Sequence, residues 1–395
     1  AVIGNPPYIR IQAMKEWAPG EIYFYKENYL STNKGNYDIY VIFIEKGLYL
    51  LNKNGLLGFI LPHKFFNAKY GEPIRKILSD GRKLSKIVHF GDQQIFSGAT
   101  TYTCLLFLDK SNKDSFNFEK VDQIGSWKGG NKGEQGKISK DQISKFEWNF
   151  VVGDNAKIFR KLDSISLSLS DVTEKIFVGV QTSADPVYIL QLLEEKEKYF
   201  SVFSRALNQN FLIEKEITKR LLKGAEIHRY YLDTPQNIIL YPYHIVNDNA
   251  VLYSKNELMG KFPKAYKYLL SMKGKLESRE RGKWKVPEWW QFGRKQNIAE
   301  MNNHKIVNQV LSKQASFTVD MSGDYCFVGG GNAGGYGLRI KSEEFSDLFL
   351  LGLLNSHLLD WFLKKISTTF RGGFFSYAKR FIEKLPIVYP SEKQH

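Results

Sequence analysis

The chain has 395 residues, of which 43% are apolar and 25% are charged. These proportions are ordinary for a folded protein and exclude a collagenous or fully disordered chain, and the length allows two or three domains. The net charge of +15 and the pI of about 9.4 predict a polyanionic partner, with nucleic acid as the first candidate.

The first element is a short apolar run at residues 1–4, which predicts the end of a buried parallel strand. Asn5, Pro6, Pro7 and Tyr8 follow it. The two prolines predict a rigid turn, because proline restricts φ and lacks an N–H donor. Open α/β sheets bind ligands at the carboxyl ends of their strands, so this turn is a candidate site. The alternative is a purely structural Pro-Pro turn.

Helical and strand patterns alternate over the next hundred residues, and this order predicts a parallel sheet with crossover helices. In chain order, the predicted elements are helix 37–51, strand 55–61, helix 68–78, strand 87–90 and strand 100–108. The polar, glycine-containing segment 109–145 predicts a loop or a domain edge. A helical pattern then continues to about residue 169, and the apolar run 176–180 begins a new domain. The predicted domains are therefore residues 1–165 and 166–395.

Two stretches of the second half combine basic and aromatic residues, as nucleic-acid surfaces do. Residues 261–300 contain eight Lys, three Arg and four Glu, a net charge of +7. Residues 370–380 contain a Gly pair that allows close approach of the backbone to a phosphate. The alternatives are an amphipathic helix with core aromatics and a plain turn. The candidate DNA-binding residues are Lys283, Lys285, Trp289, Trp290, Arg294, Lys295, Arg371, Gly372, Gly373, Lys379 and Arg380.

The sequence predicts neither a metal site nor a membrane span. Cys104 and Cys326 lie far apart, and no Cys-x-x-Cys or His-x-x-x-His pair occurs, so both are expected to be buried, reduced thiols. The most apolar stretch, residues 348–363, contains Asp360 and predicts a buried amphipathic helix. No signal peptide is visible.

Residues 5–8 match the catalytic tetrapeptide of N6-adenine DNA methyltransferases, and nearly the whole chain resembles the TaqI type, including its type IIG restriction–modification members. Residues 37–40 and 55–60 resemble the next two motifs of that family, and residues 95–96 resemble its later, base-contacting motif. The resemblance implies an α/β fold, with a partial Rossmann-like methyltransferase sheet followed by an α+β target-recognition domain. It also implies a protein of the prokaryotic cytoplasm. The segments that resemble the recognition domain are residues 222–227, 351–356 and 367–373.

The resemblance implies methyl transfer from S-adenosylmethionine to a flipped adenine of double-stranded DNA. The lone pair of an exocyclic amine is delocalised into the ring, which makes the nitrogen a poor nucleophile. The Asn5 oxygen and the Pro6 carbonyl can accept its two hydrogens and localise that pair. Tyr8 and Phe96 are the predicted stacking faces, and the alternative for Phe96 is a core phenylalanine. Asn5, Pro6, Pro7 and Tyr8 are the predicted catalytic residues, and Asn5 and Pro6 border the donor pocket.

The family's donor-binding motif, Phe-x-Gly-x-Gly, precedes the catalytic tetrapeptide, whereas only four residues precede it here. The sequence therefore predicts a fragment that binds the donor weakly or not at all, completed by an N-terminal region or a restriction subunit. Residues 327–331 fit the same pattern, but residues 336–340 predict extended chain where a helix would follow. A Gly-rich hairpin is favoured over a permuted donor site.

Two functional hypotheses follow from these observations. The first is the catalytic and recognition part of a site-specific adenine methyltransferase from a restriction–modification system. The second is a sequence-specific DNA-binding subunit without its own catalysis. A nuclease is disfavoured, because the acidic and lysine pairs at residues 195–198 lie in a charged run that predicts a solvated helix face.

Overall fold

The computed structural model describes residues 1–96, 101–329, 334–341 and 345–390. The chain divides into two compact units. The first unit comprises Ala1–Ser164 with Thr368–Gly373, and the second comprises Ile165–Ser367 with Phe374–His395. Each unit buries a hydrophobic core of its own. The mixed α/β fold class predicted from the sequence is confirmed.

The first unit is built on a six-stranded sheet. Its elements are β1 (Val2–Gly4), α1 (Ile11–Trp17), α2 (Pro19–Asn28), α3 (Tyr40–Leu50), β2 (Leu56–Pro62), α4 (Glu72–Asp80), β3 (Leu84–His89), β4 (Thr103–Asp109), β5 (Ser115–Lys120), α5 (Ile124–Lys128), β6 (Glu134–Ser139) and α6 (Ala156–Asp163). The strand order is β1-β2-β4-β3-β5-β6. The pairs β1–β2 and β3–β5 are parallel, whereas β4 is antiparallel to both β2 and β3.

This sheet corrects two expectations from the sequence. It is mixed and not parallel, because β4 pairs antiparallel with both β2 and β3, and antiparallel neighbours need no crossover helix. Residues 109–145 are more than a loop, since they contribute β5, α5 and β6. Phe116 and Phe118 are buried and alternate with Asn117, the period-two pattern of a half-buried strand.

Helix α3 packs closely on the sheet and sets the position of the residues before it. Tyr40 and Ile44 are buried on its inner face. Gly47 allows the close approach, because a Cβ at that position would lie 2.4 Å from Leu57 Cδ1 of β2. The predicted motif at residues 37–40 leads directly into this packed helix.

The second unit contains two larger sheets. Its elements are α7 (Leu169–Val172), β7 (Thr173–Val178), α8 (Asp185–Tyr188), β8 (Ile189–Glu195), β9 (Tyr199–Ser204), β10 (Gln209–Glu214), β11 (Thr218–Leu222), β12 (Asn237–Leu240), β13 (Tyr243–Val246), β14 (Asn249–Leu252), α9 (Lys255–Lys261), α10 (Pro263–Ser271), α11 (Lys273–Glu277), α12 (Arg279–Gly282), β15 (Lys305–Gln309), β16 (Leu311–Ser312), β17 (Phe317–Asp320), β18 (Tyr325–Phe327), β19 (Gly335–Ile340), α13 (Asp347–Leu354), α14 (His357–Ile366), β21 (Phe374–Ser376) and α15 (Lys379–Ile382). One sheet has the order β10-β9-β8-β12-β11-β18 and the other β17-β15-β19-β7. Strand β20 (Thr369–Phe370) groups with the first unit. The charged residues 195–198, predicted as helical, include the end of β8.

The apolar stretch predicted as one helix forms two, α13 and α14. Asn355 between them is buried, accepts a hydrogen bond from the Phe317 N–H at 3.0 Å, and donates to the Phe317 carbonyl at 2.9 Å. The Ser356 hydroxyl then caps α14 by accepting from the Leu359 N–H at 3.2 Å. A buried amide that pairs with a neighbouring strand therefore breaks the helix. Within the described part of the chain, every helix is too short or too polar to cross a bilayer.

Candidate active site and DNA-binding residues

Residues 5–8 lie at the carboxyl edge of the first unit's sheet. Strand β1 ends at Gly4, which pairs in parallel register with Phe59 of β2. Asn5 therefore follows at the edge where α/β sheets bind their ligands. Asn5 is exposed and Pro6 is buried. The turn is thus anchored by a proline while an amide side chain faces solvent.

The hydroxyl of Tyr8 holds the Asn5 side chain. It lies 2.6 Å from Asn5 Oδ1 and 3.0 Å from the carbonyl oxygen of Ile60 on β2. Burial raises the pKa of Tyr8 to about 12, and the Cys104 thiol adds to the rise. The phenol is therefore a hydrogen-bond donor at neutral pH. Because a carboxamide oxygen accepts two hydrogen bonds, Asn5 keeps one acceptor position for another N–H.

A buried phenol network lies behind Tyr8. The Tyr8 ring meets Tyr40 edge to face, with ring centroids 6.4 Å apart. The Tyr40 hydroxyl lies 2.9 Å from that of Tyr70, which donates to Asp38 Oδ2 at 3.1 Å. Burial raises the pKa of both Tyr40 and Tyr70, so both phenols are neutral. The network fixes the Tyr40 ring and with it the wall against which Tyr8 packs.

The backbone just after the Pro-Pro turn is hydrogen-bonded to residues 37–39. The Ile39 N–H donates to the Ile9 carbonyl at 2.9 Å, and the Ile11 N–H donates to the Tyr37 carbonyl at 2.9 Å. Residues 37–40 resemble a family motif, and in the structure they hold the backbone that follows the Pro-Pro turn. The available signal was a cluster of tyrosines around one aspartate, a set that suits a buried hydrogen-bond network.

Phe96 lies on the loop that follows β3, at the same sheet edge as Tyr8. Strands β2 and β3 are both antiparallel to β4, so their carboxyl ends coincide. Phe96 is half-buried, and the neighbouring Ile95 packs against Phe90 and Val121. Residues 97–100 lie outside the described residues. The loop that carries Phe96 starts at this edge, and the role of Phe96 as the second stacking face stays a prediction.

Two histidines that sequence analysis did not single out meet at this edge. His63 follows β2 and His89 ends β3, and their ring centroids are 4.2 Å apart. His63 Nε2 lies 3.1 Å from the Gly91 carbonyl oxygen, and the Gly91 N–H donates to His89 Nδ1 at 3.0 Å. Burial lowers the pKa of His63. Burial, with His63 and Lys120 nearby, lowers the pKa of His89 well below its usual value. Both rings are therefore neutral at pH 7. No local sequence motif predicts that these two histidines meet.

The two predicted DNA-binding tryptophans belong to the core of the second unit. Trp289 is 5% exposed and Trp290 is 3% exposed. The Trp290 Nε1–H donates to the Tyr253 carbonyl at 3.1 Å. Arg279, counted among the basic residues of this stretch, is also buried and donates to the Trp289 carbonyl at 2.7 Å. The prediction that these indoles contact DNA is therefore corrected, because their faces are used for packing.

The remaining predicted DNA-binding residues keep their positions at the surface. These exposed residues are Lys283, Lys285, Arg294, Lys295, Arg371, Gly372, Gly373, Lys379 and Arg380. Arg294 forms an ion pair with Glu280 at 2.6 Å, and this carboxylate partly neutralises the guanidinium charge. The Arg380 guanidinium lies over the Phe381 ring, 4.4 Å from its centroid. Exposure leaves these groups accessible to a phosphate, and their contact with DNA stays a prediction.

The Phe-x-Gly-x-Gly sequence at residues 327–331 begins with the last residue of β18. Residues 330–333 lie outside the described residues. Strand β19 follows, which is the extended chain that the sequence predicted. Gly329 packs against the backbone of Gly179, where a Cβ would lie 2.4 Å from the carbonyl oxygen. This glycine thus has a structural task in strand packing.

Neither cysteine takes part in a disulfide or a metal site. Cys104 and Cys326 are free and buried, and burial raises the pKa of the Cys326 thiol to about 12. Among the residues that the structure describes, no group of three or more His, Cys, Asp or Glu side chains could hold a metal ion.

Comparison with known proteins finds similarity in two parts of the chain. Residues 1–96 match the family described as Eco57I restriction-modification methylase, and residues 219–387 match the TaqI-like C-terminal specificity domain. The chain is 29% identical over 411 residues to the Escherichia coli type II restriction enzyme and methyltransferase RM.Eco57I, covering 98% of this chain and 40% of that protein. It is 22% identical to the type II methyltransferase M.BanIII of Aneurinibacillus aneurinilyticus, covering 98% and 69%.

The fold matches as well. The type IIL restriction-modification enzyme MmeI, solved in complex with DNA, aligns with a TM-score of 0.57 at 12% identity, covering 99% of this chain and 47% of that one. The chain therefore spans less than half of RM.Eco57I and of the MmeI chain. The resemblance to type II restriction–modification methyltransferases with a TaqI-like specificity domain is confirmed.

Proposed function

We propose, from its similarity to type II restriction–modification methyltransferases, that this chain holds and presents adenine in a site-specific DNA adenine-N6 methyltransferase. The proposal is carried by the Asn5–Pro6 turn, which presents an amide oxygen at the carboxyl edge of a parallel strand pair. The similarity to curated type II methyltransferases supports the reaction class. The substrate is double-stranded DNA, and the enzyme acts in the cytoplasm of a prokaryote as part of a restriction–modification system.

In this function the Asn5 turn activates the exocyclic amine. The free acceptor position on Asn5 Oδ1 and the Pro6 carbonyl accept the two N–H groups of the target amine. These two acceptors localise the nitrogen lone pair. The Tyr8 hydroxyl, 2.6 Å from Asn5 Oδ1, holds the carboxamide in the accepting orientation. Fixed dipoles at the reacting atom require no rearrangement during the reaction, which is their main catalytic advantage.

The extruded base needs flat apolar surfaces on both sides. Tyr8 and Phe96 are both half-buried, and the proposal assigns one of these faces to each ring. Flipping the adenine costs a few kcal/mol of stacking and pairing energy, and stacking on aromatic rings offsets part of this cost. The Tyr40 ring supports Tyr8 from behind at a centroid separation of 6.4 Å.

The methyl donor implied by the family is S-adenosylmethionine, which supplies an activated sulfonium methyl group when bound. The residues present fit only one wall of its pocket. Asn5 and Pro6 border that space, but Phe-x-Gly-x-Gly does not occur within residues 1–164. Ile3 lies on the edge strand β1, and its side chain is 86% exposed. Exposed apolar sheet edges of this kind are normally covered by another element.

This chain alone is therefore expected to bind S-adenosylmethionine weakly or not at all, and to be inactive without a further region or a restriction subunit. Isothermal titration calorimetry of the 395-residue chain checks this expectation. A micromolar dissociation constant would contradict it.

The DNA duplex is held mainly through its phosphates. The net charge of +15 supplies a general attraction, and the exposed cations of the second unit supply contacts. The proposed contacts in that unit are Lys283, Lys285, Arg294, Lys295, Lys379 and Arg380. Sequence discrimination needs side chains that reach base edges, in a specificity domain whose match covers residues 219–387.

A label-transfer assay tests the reaction. The complete gene product that contains this chain is incubated with methyl-labelled S-adenosylmethionine and mixed-sequence DNA, and the nucleosides are separated. Label in N6-methyladenine is the expected result, and label in cytosine would contradict the adenine assignment. Salt-dependent DNA binding without any label would favour the alternative function, a DNA-binding subunit without catalysis.

A further inference from the structure

A short segment from near the end of the chain belongs to the first unit. Residues Thr368–Gly373 group with Ala1–Ser164, although the residues on either side of them belong to the second unit. The segment is fixed by its backbone, because the Arg371 N–H donates to the Tyr102 hydroxyl at 2.9 Å. A turn that resembles part of the specificity domain is therefore attached to the methyltransferase sheet.

The attachment point lies at the edge that carries Asn5. Tyr102 precedes β4, whose first residue Thr103 pairs with Pro62 at the carboxyl end of β2. The Tyr102 carbonyl accepts from the His63 N–H at 3.2 Å. Strand β2 lies between β1 and β4, so β1 and β4 are about 10 Å apart at the strand spacing of a sheet. The Tyr102 anchor of the turn and Asn5 therefore lie at the same edge of the sheet, about two strand spacings apart.

The chemistry of the turn suits a phosphate. Arg371 is exposed, and its guanidinium forms no ion pair with any carboxylate of the described residues. Gly372 and Gly373 have φ values of +86° and +78°, a left-handed conformation that favours glycine. Both are exposed, and a Cβ on Gly373 would meet no atom within 4 Å. A planar guanidinium beside an open backbone turn can bind a phosphate through two parallel hydrogen bonds.

We propose that the Arg371–Gly373 turn binds a backbone phosphate of the DNA strand that carries the target adenine, next to the extruded nucleotide. This inference rests on the proposed function and refines it. The turn acts with the catalytic residues and not with those that read the sequence, because phosphate contacts position the strand without distinguishing bases. Its grouping with the first unit and its anchor on Tyr102 separate it from the exposed lysines of the second unit.

The test compares Arg371→Ala and Arg371→Lys with a matched control in the complete gene product. Lys53→Ala is the control, because Lys53 is an exposed cation before β2, at the opposite edge of the same sheet. Ethylation interference on the methylated site maps the phosphates that binding requires. The wild type and Lys53→Ala are expected to require a phosphate beside the target adenine, and Arg371→Ala is expected to lose that requirement.

Salt dependence provides a second readout. Arg371→Ala should lower the slope of log K against log salt by about 1, and Arg371→Lys should retain most of the slope but weaken interference at that phosphate. Tyr102→Phe keeps the ring and removes the anchor, so interference there should also weaken. A single neutral methylphosphonate beside the target adenine should reduce binding by the wild type and leave that of Arg371→Ala unchanged, without any change to the protein fold.

The outcomes separate this inference from the proposed function. No label transfer by the wild type contradicts the proposed function. Label transfer by the wild type with the same interference pattern in Arg371→Ala contradicts only the phosphate contact. An equal response of both proteins to the methylphosphonate contradicts it as well.

Discussion

Two aromatic segments predicted to act on DNA have opposite surroundings. At residues 5–8, Asn5 is exposed and Tyr8 half-buried, and their polar atoms are held by hydrogen bonds. At residues 284–292, Trp289 and Trp290 are buried, whereas the charged Lys285 and Glu288 are exposed. Rings beside charges are thus not sufficient to identify a binding surface. At residues 5–8 a rigid turn at a sheet edge leaves the Asn5 side chain in solvent. At residues 284–292 the indole rings pack into the hydrophobic core.

Removing a buried indole should have the largest effect and tests the core side of the comparison. Trp290→Ala should lower the free energy of unfolding by about 3–5 kcal/mol, because it leaves a large cavity and an unpaired Tyr253 carbonyl. Chemical denaturation measures this change. Trp17→Ala is the control, since Trp17 is 61% exposed, and it should change stability by less than about 1 kcal/mol. Equal losses in both variants would show that Trp290 is not a core residue.

Removing the Asn5 amide should have the next largest effect, on rate and not on stability. Asn5→Ala should reduce methyl transfer by about 10²–10³-fold, the usual result of deleting one preorganised polar contact to a reacting group. Single-turnover label transfer by the complete gene product measures it, with DNA affinity near that of the wild type. Asn54→Ala, an exposed residue before β2 at the opposite sheet edge, is the control. Lost DNA affinity with an unchanged rate would overturn the role of Asn5.

The Tyr8 hydroxyl should contribute less than the amide that it orients. Tyr8→Phe keeps the stacking ring and removes the hydrogen bond to Asn5, so the rate should fall by about tenfold, or roughly 1.4 kcal/mol. The Michaelis constant for DNA should change little, because the ring remains. Tyr49→Phe, on an exposed tyrosine, is the control. A raised Michaelis constant with an unchanged rate would assign Tyr8 to binding alone.

Acid should weaken the first unit through its histidine pair, with a small effect near neutral pH. Burial lowers the pKa of His63 and His89 in the folded state, so protons bind preferentially to the unfolded chain. Stability should therefore fall as the pH drops below about 6.5, by up to about 1.4 kcal/mol per pH unit for each ring. Denaturation between pH 7 and pH 5 measures it. His89→Asn should flatten this dependence and the exposed His357→Asn should not, and equal slopes would contradict the assignment.

The sequence by itself determined the elements whose signals are local. Residues 5–8 were recognisable because two prolines after an apolar run leave few conformations, and β2 and α3 followed from continuous apolar patterns. The mixed α/β class follows from the alternation of these elements. The resemblance to the methyltransferase depended on short motifs of this kind, and the resemblance to the specificity domain depended on residues 222–227, 351–356 and 367–373.

Only the tertiary structure decided what depends on long-range pairing. The antiparallel insertion of β4, the meeting of His63 with His89 and the phenol network behind Tyr8 join residues far apart in the chain. Burial of Trp290 and attachment of the Arg371 turn to Tyr102 are decided in the same way. A sequence pattern specifies which residues are apolar or charged. Packing against distant elements decides which of them remain at the surface.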